Sequence, residues 1–190
     1  MSGAKRQGAT LPSRITGLNA RRPRWKPNVT VAAVASRSRG GVAEYLLVEE
    51  KTAAGLRINN PAGHLEAGES LVDAVAREVL EETGSAFVAD RLVGVYHLRV
   101  DDPEGDDDVT YLRFAFAGSA GAADPARRLD DGIVGTLWLT LDELRACRER
   151  HRSVLVLRSV EDAAAGCAVP LERIVTDESV RRVGRGGAAR

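Results

Sequence analysis

Three glutamates, Glu78, Glu81 and Glu82, stand at i, i+3 and i+4, a spacing that brings side chains to one side of an α-helix. On a wheel of about 100° per residue they share an arc of roughly 100°. Val72, Val75, Ala76 and Val79 fall on the neighbouring arc, so the helix has an acidic edge beside a packing face. Carboxylates held this close repel: a pair about 5 Å apart in a groove of effective dielectric about 20 costs roughly 3 kcal/mol. A divalent cation removes that cost. An all-oxygen donor set without His or Cys favours Mg2+, with Mn2+ as a substitute, over zinc.

Just upstream runs Pro61-Ala62-Gly63-His64-Leu65-Glu66-Ala67-Gly68-Glu69. Its glycines permit a tight turn and a close approach of backbone to a ligand. Glu69 is within reach of Arg77, and a charge-assisted hydrogen bond between them would pin the loop to the helix. Metal held on carboxylates beside such a loop serves phosphate chemistry, because the ion bridges anionic oxygens and activates water.

These residues need elements to position them. Ser70 and Asp73 form a capping-box start and Gly84 a stop, which predicts a helix over 71–83. β-rich runs predict strands at 29–35, 45–48 and 56–60, then at about 91–100, 109–117 and 133–139. Thr140 and Glu143 cap a second helix through about Arg148, and 152–165 reads as a third. Short strands interrupted by one early and two late helices imply a mixed β-sheet with helices packed on it, an α/β or α+β layered domain. Tyr111, Phe114 and Phe116 share one strand, one face of which is expected to line a cleft while the other joins the core. Trp138 is read as a core residue and Trp25 as a cover for the first strand. His97 and His151 are expected to pack or to face solvent.

The chain has 190 residues, with 27 basic and 27 acidic side chains, and the zero net charge conceals a segregation. Residues 1–26 carry seven bases and 181–190 four, neither with an acid, so the middle holds every acid against sixteen bases and a charge of −11. We read 1–26 as a basic, disordered arm, 27–180 as one domain and 181–190 as a basic disordered tail. The arm lacks the interleaved aromatics of a nucleic-acid binder, which argues against a nucleic-acid partner. The absence of any long apolar run argues against a membrane and for a cytoplasmic protein. Cys147 and Cys167 have no metal-ligand or framework spacing and are expected to be reduced and semi-buried. The sequon Asn28-Val29-Thr30 is read as accidental, and the acidic run Asp101–Asp108 as a solvated loop.

Gly63, Glu69 and the run Arg77-Glu78-Val79-Leu80-Glu81-Glu82-Thr83-Gly84 resemble the Nudix box. Ser85 departs from the aliphatic residue usual in that family, a change expected to weaken packing behind the helix end. The resemblance implies an α/β/α sandwich and Mg2+-dependent hydrolysis of phosphoanhydrides. It implies that Glu78, Glu81, Glu82 and the Gly63 carbonyl bind the metal, with Glu78 orienting or deprotonating the attacking water. Glu69 and Arg77 would form the structural salt bridge. Asp130 or Asp131 is the candidate accessory base or ligand, with the run Asp106–Asp108 as another source. His64 and Tyr111 are candidate substrate contacts.

Further segments, among them Leu47-Val48-Glu49-Glu50, Asn60-Pro61-Ala62-Gly63-His64-Leu65-Glu66 and Tyr111-Leu112-Arg113-Phe114, are similar to the phosphatase NudJ subgroup. That likeness implies removal of single phosphates from nucleoside tri- and diphosphates, or cleavage of a related pyrophosphate ester. Pyrophosphate release from damaged nucleotides and nucleotide sensing without turnover are the alternatives. The substrate partner is a small molecule, and a monomer and a homodimer both remain open.

Overall fold

Val31 to Ala35 is an unbroken apolar run because both faces of that strand are covered. In the computed structural model, which describes residues 25–100 and 109–181, the run lies in β1 (Asn28–Arg39). Val31, Ala33 and Ala35 enter one buried cluster and Ala32 and Val34 the other. The chain continues through β2 (Val42–Thr52), β3 (Gly55–Asn59), β4 (Ala62–His64), α1 (Leu71–Thr83), β5 (Phe87–Val100) and β6 (Val109–Ala120). It ends with β7 (Ile133–Thr140), α2 (Leu141–Ala146), α3 (Val154–Ala164) and β8 (Val169–Pro170).

The main sheet has the order β3-β2-β1-β6-β5-β8, with β4 paired to β1 and β7 to β2. β1 and β6 are parallel and the other named pairs antiparallel. α1 covers one face through Ala74, Val75 and Val79. α2 and α3 cover the other through Leu144, Val156, Leu157, Val160 and Ala163. This is the expected mixed β-sheet between helices, an α+β architecture layered α/β/α.

β4 and β8 were not foreseen. Each is too short to show a two-residue period, and β4 lies inside the segment read as a loop. The second helix stops at Ala146 and passes into a 3-10 turn at Arg148–Arg150. On β6, Phe116 is buried and Phe114 packs on the α1 side, whereas Tyr111 belongs to the opposite face. Trp138 is partly buried in the α1-side core, with the Arg37 guanidinium 4.0 Å from its ring centroid.

Three expectations need correction. Trp25 is 69% exposed where a covering role over the first strand was expected, Cys167 is exposed where semi-burial was expected, and Arg181 pairs with Asp73 at 3.0 Å instead of belonging to a free tail. His97 faces solvent, and His151 is half-buried with its ring 3.9 Å from Cys147 Sγ. The arm over 1–24, the loop 101–108 with its Asp106–Asp108 run, and the tail over 182–190 lie outside the described residues.

Candidate active site

Helix α1 begins and ends where its capping residues require. Ser70 Oγ accepts from the Asp73 N–H at 3.0 Å while an Asp73 carboxylate oxygen accepts from the Ser70 N–H at 3.3 Å. At the other end Gly84 has φ 70°, a left-handed conformation that costs glycine little, and its N–H donates to Leu80 O at 3.0 Å. Ser85 is buried there and donates its N–H to Thr83 Oγ1 at 3.2 Å.

The helix turns its carboxylates further inward than the wheel implied. Val72 and Ala76 are only half-buried, whereas Ala74, Val75, Glu78, Val79, Glu82 and Thr83 are buried. Glu78 and Glu82 expose 7% and 8% of their surface, and Glu81 more. β4 brings Gly63 against them by pairing Gly63 with Val31 and His64 with Thr30. A Cβ at Gly63 would collide with the Glu78 carboxylate. Ala62 donates its N–H to Glu82 Oε2 at 2.9 Å. The loop and helix therefore meet backbone against carboxylate.

Arg77 does more than the expected salt bridge. Its Nε and Nη2 donate to the two oxygens of Glu69 at 3.0 and 2.8 Å. Nη1 donates to Glu78 at 2.7 Å and Glu81 at 2.9 Å, and Nη2 also reaches the His64 carbonyl at 2.9 Å. One guanidinium thus compensates three carboxylates and ties the loop to α1. The hydrogen bond from Arg77 holds Glu69 below the usual carboxylate range. Burial pushes Glu78 up against the opposing pull of Arg77. Burial pushes Glu82 up to about 8, with repulsion from Glu78, Glu50 and Asp130 adding to it and the Ala62 N–H opposing.

Among the described residues no three acidic, His or Cys side chains converge as a ready-made metal cluster. The reason is local: Arg77 draws Glu78 and Glu81 toward itself, so loading a cation means exchanging a guanidinium for it. The donor chemistry fits a hard divalent ion, since the site offers only oxygens and two of its carboxylates are desolvated and mutually repelling.

Comparison with known proteins decides what this arrangement belongs to. The family model described as NUDIX domain matches residues 26–178. The chain belongs to the Nudix family. It is 35% identical over 150 residues to Phosphatase NudJ of Escherichia coli strain K12, covering 79% of this chain and 92% of that protein. The same identity and coverage hold for Phosphatase NudJ of Shigella flexneri. A solved NUDIX hydrolase from Nitrosomonas europaea shares 45% identity at a TM-score of 0.72, covering 80% of this chain and 99% of the other. This Nudix chain is accordingly a hydrolase of phosphoanhydrides.

Around the Nudix box the remaining candidates separate. Asp130 donates its N–H to the Glu81 carbonyl at 3.1 Å and is close enough to raise Glu78 and Glu82. Asp131 instead pairs with Arg128 at 2.7 Å, both side chains being exposed. His64 is exposed, and its ring centroid lies 6.4 Å from that of Tyr111.

The cleft expected along one face of the Tyr111 strand is a cavity of about 320 Å³ that Gly63, His64 and Tyr111 border, but sequence reasoning missed most of its polar lining. Its lining includes Thr30, Glu50, Asn59, Tyr111, Arg113 and Arg152, contributed by β1, β2, β3, β6 and the turn before α3. Glu50 is pushed up by burial, which outweighs attraction from Arg152 and Arg113. Arg113 is pushed down by burial, with Glu50 and Glu82 opposing. Leaving one buried polar group unsatisfied costs about 1–3 kcal/mol, and more for a charged one. The available signal was a lone arginine inside the apolar strand Tyr111–Ala117, since charges are rarely buried there without a task.

Proposed function

We propose that this Nudix hydrolase is a magnesium-dependent enzyme that cleaves phosphoanhydride bonds of nucleoside tri- and diphosphates or related pyrophosphate esters, releasing orthophosphate. The observation that carries the reading is the seating of the Glu78 carboxylate against Gly63 on a capped helix whose other two box carboxylates flank it. The likeness to Phosphatase NudJ supports orthophosphate as the product.

Glu78, Glu81, Glu82 and the Gly63 carbonyl would hold the cation, Mg2+ with Mn2+ as a substitute. Such an ion supplies charge neutralisation for phosphate oxygens and lowers the pKa of a bound water. Glu78 orients the attacking water and takes its proton as the water oxygen bonds to phosphorus. The bridging P–O bond then breaks, and the departing phosphate carries away the electron pair. Glu69 acts through Arg77, keeping the loop on α1. Asp130, at the end of α1 that carries Glu81, is the accessory carboxylate. The substrate is a small molecule and the setting is cytoplasmic.

The test is a panel of nucleotides and pyrophosphate esters with magnesium, in which orthophosphate and pyrophosphate are detected separately. Orthophosphate from di- and triphosphates, lost in Glu81→Gln and Glu82→Gln, is the expected result. Pyrophosphate as the product would shift the assignment to nucleoside triphosphate pyrophosphatase, and undiminished activity in both variants would sink it.

A further inference from the structure

β5 is an outer strand of the sheet over most of its length. Among the described residues β8 pairs with it only at Arg91 and Leu92. From Gly94 to Leu98 the strand pairs with β6 on one side, and its other edge has no backbone partner among the described residues. Alternate residues of that edge present N–H and C=O groups outward, a template for another strand.

Natural edges are commonly guarded by charge, proline or a bulge. The stretch Gly94-Val95-Tyr96-His97-Leu98 contains no proline and no Lys, Arg, Asp or Glu. The bulges of β5 lie before it, and pairing with β6 is regular from Gly94 to Val100. β7 also pairs on one side only, with β2. What sets β5 apart is the groove beside it. A cavity of about 650 Å³ runs along Val93–His97 and is walled by Val154, Leu155, Arg158 and Asp162 of α3.

Asp162 ties the two walls together, accepting from the Tyr96 hydroxyl at 2.9 Å and from Arg158 Nε at 2.8 Å. Val95 on the strand and Val154 on the helix border the groove with 51% and 72% of their surface exposed. The groove is thus preformed and apolar, with one cation and one anion that balance. Such a surface is complementary to itself, because about a twofold axis each charge meets its opposite.

We infer that this groove is where two copies of the chain associate, β5 pairing antiparallel with the partner's β5 so that one sheet runs through both domains. The axis passes near Tyr96, Val95 and Val154 of each copy are covered, and Arg158 faces the partner's Asp162. A foreign extended peptide would find the same backbone groups, but the balanced charge of the groove favours no charged peptide, whereas a second copy matches it residue for residue. The joint leaves the carboxylate-bearing helix free, since α1 and α3 cover opposite faces of the sheet.

Two measurements test this. Sedimentation velocity of the full chain at rising concentration is expected to show a dimer. Its dissociation constant is expected to rise at least tenfold in Val95→Lys, which puts a charge on the edge, and in Val154→Asp. Val134→Lys, at an exposed position of β7, is expected to leave it unchanged, with thermal unfolding confirming that each variant is folded. A chain that stays monomeric throughout, or a dimer that Val95→Lys leaves intact, would overturn the inference.

Hydrogen exchange of the full chain reads the edge itself. The outward amides between Gly94 and Leu98 are expected to be protected in wild type and to exchange at least tenfold faster in Val95→Lys. Equal exchange in the two would place the contact elsewhere and overturn the inference. Protection in a monomer would give the groove to another segment of the same chain and overturn it as well.

Discussion

The Glu78 carboxylate sits in the space that a side chain on Gly63 would fill. Gly63 lies within strand β4 and makes no turn, so what requires a glycine there is sterics. Gly63→Ala is expected to displace Glu78 and lower kcat by about a hundredfold or more, the scale on which a misplaced reacting group is felt. Steady-state kinetics with magnesium check this, and near-normal kcat would mean that the water is oriented by another carboxylate.

Arg77 offsets charge on Glu69, Glu78 and Glu81 at once. Arg77→Met leaves partly buried carboxylates uncompensated, a change that costs roughly 3–5 kcal/mol when a buried pair is broken. Metal-free Arg77→Met is expected to melt well below wild type, and magnesium to raise its Tm by more than it raises that of wild type. Thermal scans with and without magnesium read both effects.

Glu82 gives the metal-free protein a pH dependence of known sign. Its folded pKa of about 8 exceeds the ordinary value of 4.5, so between these limits the folded state keeps a proton that the unfolded chain has lost. Stability contributed by that proton is complete below about 4.5 and is lost as pH rises through about 8, at no more than about 1.4 kcal/mol per pH unit. Urea denaturation in EDTA at pH 5, 6.5 and 8 is expected to show falling stability with rising pH, and Glu82→Gln to flatten that trend.

The two ends of α1 have separate costs. Ser70→Ala removes the capping acceptor and is expected to lose about 1 kcal/mol. Gly84→Ala forces a side chain into φ 70° and brings its Cβ within 3.2 Å of the Asp124 carbonyl, so a loss of about 1 kcal/mol or more is expected. Urea midpoints separate these changes from any effect on KM.

The two candidate accessory acids are also separable. Asp130→Asn is expected to reduce kcat/KM at least tenfold, because Asp130 faces the field of Glu78 and Glu82. Asp131→Asn removes only an exposed pair with Arg128, worth about 0–1 kcal/mol, and is expected to leave kcat/KM within twofold.

The capped helix and its acidic edge were legible in the sequence because they are local. Ser70, Asp73, Gly84 and the glutamate spacing all lie within one helix, whose period and caps are written in adjacent residues. The inward roll that buries Glu78 and Glu82 was not legible, since it is set by packing on β1. Most of the cavity's polar lining was hidden for a related reason. Thr30, Glu50, Asn59, Arg113 and Arg152 come from five separate segments, and only the sheet order brings them together. β4 escaped notice because three residues containing a glycine carry no period.

On β1, Thr30, Ala32 and Val34 point to the side of the cavity and α3, while Val31, Ala33 and Ala35 point to α1 and its carboxylates. Alternate letters of one short word of sequence thus answer to different selective pressures. A change at Thr30 alters the cavity wall and leaves the α1 side untouched, whereas a change at Val31, Ala33 or Ala35 disturbs the floor on which the carboxylate-bearing helix rests.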